Sequence, residues 1–242
     1  MPGYIIHLAE AKIIADKLEK TMPNIQLQST WREEFYYGAL LPDAVEKQKK
    51  SLSHFWNKSD MQYVTMVPNL DAFCKKYEER NLGPIYWGYL VHLQLDSLFW
   101  EKFMKENIVF IDQDGKSSDL LKEVTGVKLR KSGQIIGLKE FFSEEYLYGD
   151  YTKLNESFMQ NYDLAVPSYK TDIKKVIEEA NYEGMKTVLD KLEHFLNEKK
   201  SLGGETKVIH YEKMNEFLKK TAAQFVTCYG RKMIYGQNEF KG

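Results

Sequence analysis

Three of the chain's five histidines, His7, His54 and His92, stand in its first part among apolar or aromatic neighbours. His92 and Asp96 are four apart in Gly88-Tyr-Leu-Val-His-Leu-Gln-Leu-Asp-Ser-Leu-Phe-Trp100. On a helix that spacing stacks both side chains on one face, where a single ion can take both. A buried His and Asp on a helix this apolar each need a hydrogen bond or a counter-charge once water is removed, and a divalent cation supplies it. Asp43 follows Pro42 in Gly38-Ala-Leu-Leu-Pro-Asp43, and His54 lies in Ser53-His-Phe55. Both fall in turn-rich chain of the kind that contributes loop ligands. Two imidazoles and two carboxylates suit zinc, with manganese or iron as alternatives. Each residue also has a structural explanation: an internal hydrogen bond for His92 and Asp96, a turn for Asp43, a half-buried loop position for His54, a satisfied core position for His7. Their joint occurrence in polar-poor settings is what raises the metal reading.

These residues need a scaffold, and the chain predicts a helical one. Residues 4–20 carry apolar side chains at helical spacing with Glu10, Lys12, Asp16 and Lys17 interleaved, an amphipathic pattern. Residues 22–60, with Pro23, Gly38 and Pro42, read as a long irregular connection with one or two short helical turns. Asn69 can cap a helix that runs to Arg80, and Gly83-Pro84 opens the next. Residues 85–104, apolar almost all round, are the expected central buried helix.

Between 108 and 137 the period changes and Asp114-Gly115, Gly126 and Gly133 interrupt it, predicting a small hairpin or irregular insertion. Asp112-Gln-Asp114-Gly115 reads as a turn, because its glycine is misplaced for a calcium loop and no acidic residue closes the register. Helical patterns return at 138–147, 151–163, 169–180, 182–200 and 211–229, with Gly203-Gly204 the one linker-like spot. The expected fold is all-α, a single multi-helix domain over 1–242 with an insertion at 108–137.

Composition narrows the function classes. Hydrophobic residues make up 43% of 242, enough to bury a sizeable core, so a disordered or collagen-like chain is excluded. Lys and Arg total 34 against 35 for Asp and Glu, a net charge of −1, which gives no electrostatic case for a nucleic-acid or anionic-membrane partner. The longest uncharged stretch, 81–95, is too short for a transmembrane segment. The start lacks the basic region and long apolar run of a signal peptide, and Cys74 and Cys228 form no staple pattern, so a cytoplasmic protein with reduced thiols is expected.

Gly-Ala-x-x-Pro-Asp43, Ser-His54-Phe and Gly-Tyr-x-x-His92-x-x-x-Asp96 together resemble the bacterial zinc-dependent phospholipase C superfamily, which includes the zinc-dependent single-strand nucleases. The likeness covers roughly the first hundred residues. It implies an all-helical fold of the phospholipase C type, zinc in a cleft, and hydrolysis of a phosphoester small molecule or a phospholipid head group. It also implies that Asp43, His54, His92 and Asp96 hold one zinc and that Asp96 bridges to a second ion held by His7 and the N-terminal residue. Asp43 would then orient or deprotonate the attacking water.

The chain departs from that pattern in two places. It begins Met1-Pro2, so that Pro2 would offer its secondary amine only after loss of Met1. The family's remaining zinc uses two histidines and a glutamate downstream, whereas the next histidines here are His194, off the apolar stripe of its helix, and His210. A reduced set of one or two zinc ions is therefore expected, with Asp150 either a further carboxylate or a helix cap. The rival expectation is a non-catalytic helical protein that keeps a structural ion or a buried polar cluster. The absence of an adjacent His-Asp pair counts heavily against an HD-type phosphohydrolase.

Overall fold

A computed structural model describes residues 2–22, 26–77, 83–197 and 205–236. Helices dominate: α1 (Tyr4–Thr21), α2 (Ser29–Leu40), α3 (Lys50–Ser53), α4 (Leu70–Tyr77), α5 (Pro84–Leu98), α6 (Lys105–Asn107), α7 (Leu138–Phe141), α8 (Leu147–Tyr162), α9 (Met185–Asn197) and α10 (Tyr211–Tyr235). The expected ends of two helices, at 78–80 and 198–200, and the Gly203-Gly204 spot lie outside the described residues. No described helix is long and apolar enough to cross a membrane. The 43% hydrophobic content collects in one core that α1, α2, α5, α8 and α10 all enter.

The helical expectation stands, and the insertion expected as a small hairpin or irregular excursion forms a three-stranded antiparallel sheet, β1 (Ile108–Ile111), β2 (Gly126–Leu129) and β3 (Ile135–Gly137). Ile108 pairs with Leu129 and Val127 with Ile136, which buries Ile108, Val127, Leu129 and Ile136 on the protein side. Gly133, at φ 73°, closes the β2–β3 turn in the left-handed region that glycine enters at little cost. The Asp112 carboxylate accepts the backbone N–H groups of Asp114 and Lys116, so this segment is a turn stabilised by its own side chain.

The irregular connection expected over 22–60 is corrected, because α2 occupies its middle. Gly38 looks like a helix breaker in sequence, but here it is a packing residue. A Cβ on it would lie 2.3 Å from the Ile85 carbonyl oxygen of α5, and one on Gly88 of α5 would lie 2.1 Å from the Phe35 carbonyl oxygen. Two helices whose backbones touch this closely are held by that contact, which outweighs the weak helix propensity of an aromatic-rich segment. Leu41–Asp43 then extends α2 by one 3-10 turn.

Three further expectations shift. Residues 169–180 form no helix: the Tyr182 hydroxyl accepts the backbone N–H groups of Val176 and Ile177, and the Tyr77 hydroxyl accepts that of Glu178, so tertiary contacts take donors a helix would have used. The helix expected over 138–147 stops at Phe141. The one expected from 151 begins at Leu147, which places Asp150 in its first turn. Asp150 is neither cap nor ligand. Its buried carboxylate accepts the backbone N–H groups of Lys207, Val208 and Ile209 at 2.6–3.0 Å, anchoring the chain that leads into α10. Asp150→Ala should cost about 3 kcal/mol in urea denaturation, since it strands buried donors. A loss under 1 kcal/mol would mean that water replaces the carboxylate.

Candidate metal centre

Four elements converge on one interior point. Helix α1 brings His7, the turn after α2 brings Asp43, the end of α3 brings His54, and α5 brings His92 and Asp96. His7, His54, His92 and Asp96 are fully buried, and Asp43 nearly so. All five residues singled out in the sequence are thus brought together, in two overlapping groups able to hold an ion: Asp43, His54 and His92, and His7, His92 and Asp96.

The outer nitrogens of two imidazoles are fixed by their inner ones. His92 Nδ1 lies 2.8 Å from the Ala39 carbonyl oxygen, which can only accept, so Nδ1 carries the proton and Nε2 the lone pair. His54 Nδ1 lies 3.2 Å from the Lys50 carbonyl and 2.9 Å from Ser53 Oγ, which assigns it the same way. The two Nε2 atoms then face each other at 3.3 Å. His54 Nε2 is 3.5 Å from Asp43 Oδ1 and 3.4 Å from Asp96 Oδ2, and His92 Nε2 is 3.6 Å from that same Asp96 oxygen. Lone pairs brought this close repel unless a proton or a cation sits among them. A tetrahedral zinc with bonds of about 2.0–2.1 Å sets its ligand atoms about 3.3–3.4 Å apart. The separations of 3.3–3.6 Å around His54 Nε2 and His92 Nε2 are close to that spacing, so the two imidazoles together with a carboxylate fit the ion in groups of three.

The other Asp96 oxygen turns to the second group. Oδ1 lies 3.4 Å from His7 Nε2, and the His7 ring stacks on His92 with centroids 3.6 Å apart and planes 8° from parallel. Neither His7 nitrogen and neither Asp96 oxygen has a hydrogen-bond partner, although all are buried. A fully buried carboxylate with both oxygens unsatisfied costs several kcal/mol in the absence of a cation.

The charges respond accordingly. Burial alone would raise Asp43, but the His54 contact and the positive field of His92 and Lys50 hold it well below the usual carboxylate range. Asp96 is likewise pulled down against its burial by His92 and His7. Burial, with His92 alongside, lowers His7 to about 4, so it is neutral and available as a ligand near pH 7. For His92, Asp96 and Asp43 outweigh the lowering effect of burial and raise it. Lys50 Nζ reaches Asp43 Oδ1 at 2.5 Å from a partly exposed position, which marks the solvent side of the cluster.

Sequence reasoning missed two polar groups that feel the charge of the cluster. Glu10, read as part of a polar face, is fully buried on α1 one turn beyond His7, with Oε1 accepting from Thr221 Oγ1 at 2.6 Å and Oε2 unpartnered. Burial and the Asp96 charge raise it to about 8, the Thr221 bond notwithstanding. The His-x-x-Glu spacing between Ile and Ala neighbours was its one signal. Tyr151 of α8 is partly buried, and its hydroxyl oxygen, shielded and unpartnered, feels the Asp96 charge as well. His194 is exposed on α9, and His210 interacts with Thr206 and Lys131. Among family models, characterised proteins and solved structures, none matches this chain, so its chemistry is argued from the cluster itself.

Proposed function

We propose that the cluster holds one or two divalent ions, zinc foremost, and that the loaded protein is a phosphoesterase with a helical fold of the phospholipase C type. The observation that carries this reading is the placement of His54 Nε2 and His92 Nε2 3.3 Å apart, with carboxylate oxygens of Asp43 and Asp96 3.4–3.6 Å from them and both Nδ1 protons committed elsewhere. The motifs around Asp43, His54 and His92 supply the phosphoester direction through their resemblance to the phospholipase C superfamily. A bound ion would supply an acidified water and neutralise charge developing on phosphoryl oxygens. The Ala39 carbonyl and Ser53 orient the imidazoles for that ion. Asp43, on the solvent side, is placed to orient a water or accept its proton, and Lys50 beside it offers a positive charge to an anionic substrate such as a small phosphodiester or a phospholipid head group.

One observation favours the rival reading of a structural ion: the ligand groups are buried, with His7, His54, His92 and Asp96 wholly shielded from solvent, which suits an ion that holds helices together as well as one that activates water. Activity decides between the two. Protein stripped with chelator and reloaded with zinc should hydrolyse bis(p-nitrophenyl) phosphate or a short-chain phosphatidylcholine, and His54→Ala should lose the activity together with the ion. Zinc-loaded protein inert towards both substrates would leave the structural ion.

A further inference from the structure

Beyond Leu98 the chain of α5 continues as a turn of π-helix, Phe99–Met104. Such turns are rare, and they occur frequently at functional sites. Two buried side chains of this turn, Trp100 and Met104, line a cavity of about 230 Å³ together with Phe110 of β1. The Trp100 and Phe110 rings lie 6.5 Å apart. None of the five residues of the metal cluster lines this cavity. Its charged lining is Lys105 and Arg130 against Asp119. Arg130 is tied down at two points, its backbone N–H donating to the Asn107 carbonyl and its Nε–H to the Lys105 carbonyl, each at 2.8 Å. Its two Nη groups have no partner among the described residues, and neither the Lys105 ammonium nor the Asp119 carboxylate has an ion-pair partner there.

We propose that this cavity binds a small carboxylic acid with an apolar body, the carboxylate taken by Arg130 and the body by Trp100, Met104 and Phe110. A concave site with an apolar floor and a few convergent polar groups is the usual form of a small-molecule site, and its volume falls below the roughly 300–1,000 Å³ of drug-sized ones. The charge selects the head group. Two cations and one anion leave one positive charge on the lining, which a single carboxylate cancels and an amine would double. The planar guanidinium fork matches the two oxygens of a carboxylate. Because its Nε–H is already committed to the Lys105 carbonyl, Arg130 has lost much of its rotamer freedom before any ligand arrives, so less of the binding energy is spent on ordering it. Asp119 opposes a second negative charge, which favours a monocarboxylate over a phosphate dianion.

The site stands apart from both the metal and the phosphoesterase readings, and its test needs no activity. The probes are 3-phenylpropionate, 3-phenylpropanol, which keeps the shape without the charge, and 3-phenylpropylamine, which reverses it. Each is titrated into the full-length ¹⁵N-labelled protein, whose four tryptophans each give one indole signal, with Trp100→Phe assigning the one that matters. The propionate should move the Trp100 signal and the amides of 108–110 saturably, and the alcohol and the amine should bind at least about tenfold more weakly. Arg130→Gln should weaken the propionate at least about tenfold and leave the alcohol unchanged, a split that a general loss of structure would not produce. Lys105→Gln, whose ammonium makes no ion pair in the free protein, should weaken it by a smaller factor and keeps the test open if Arg130→Gln fails to fold. Absence of a saturable shift at Trp100 would overturn the site. Equal affinity for acid and alcohol, or tighter binding of the amine, would overturn the carboxylate assignment, and an Arg130→Gln variant that binds the propionate as the wild type does would remove Arg130 from it.

Discussion

Asp96→Asn is expected to reverse the sign of its effect on stability when zinc is added. Asp96 is fully buried, and neither of its oxygens has a hydrogen-bond partner. In chelator the wild type therefore carries a desolvated negative charge among lone pairs, and the neutral amide should melt at the same temperature or higher. With zinc present the wild type gains about 4 kcal/mol at a thousandfold excess over the dissociation constant. The variant, which loses the negative charge and puts an amide nitrogen in place of either the oxygen facing His54 and His92 or the one facing His7, should gain far less. Phosphoester hydrolysis, if the protein performs it, should fall at least about a thousandfold, since more is lost than a single electrostatic contact. The competing picture is a proton: His92 is raised by Asp96 and Asp43, and an imidazolium paired with Asp96 would also quiet the lone pairs. Breaking such a buried pair costs about 3–5 kcal/mol whether or not zinc is present. Differential scanning calorimetry of both proteins in chelator and in zinc separates the two. A variant destabilised equally in both media would sink the metal centre.

The five clustered residues were legible because their chemistry conflicts with their surroundings. His92 and Asp96 interrupt an apolar helix, whereas His7, Asp43 and His54 each have an ordinary local explanation and stood out only in company with that pair. The capped start at Asn69 and the proline start at Pro84 were legible for a local reason, since caps act within one turn; the Asn69 carboxamide does accept the Ala72 N–H. Helix α2 was not legible, because its glycine means close approach to α5, and proximity is a property of the fold rather than of a window of sequence. The lost helix at 169–180 failed for the same reason, its N–H groups being claimed by tyrosines distant in sequence or across a turn. Glu10 was hidden by type: a glutamate between Ala9 and Ala11 on a helix is ordinarily solvated, and only the packing of α1 against its neighbours buries it.

Gly88→Ala puts the link between helix packing and the metal centre to a direct test. By propensity alone the change should stabilise α5 by about 1 kcal/mol. The added Cβ, however, would stand 2.1 Å from the Phe35 carbonyl oxygen, 2.7 Å from the Ala39 nitrogen and 2.9 Å from the Gly38 carbonyl carbon. All three are backbone atoms with no rotamer to yield, so α2 and α5 must separate. A net loss of about 3 kcal/mol is expected, or roughly 10 °C in melting temperature for a chain of this size. The separation also acts on the site. The Ala39 carbonyl that fixes the His92 tautomer belongs to α2, and the turn carrying Asp43 continues directly from it, while His92 and Asp96 ride on α5. Moving one helix against the other by even about 1 Å spoils a ligand set that must be held within about 0.5 Å. Zinc affinity should therefore drop by more than the melting temperature alone predicts, measured at a temperature where the variant is fully folded. If Gly88→Ala melts at or above the wild-type temperature and binds zinc equally well, the two helices are not locked at this contact, and the spacing of Asp43 from Asp96 has to be set by other elements.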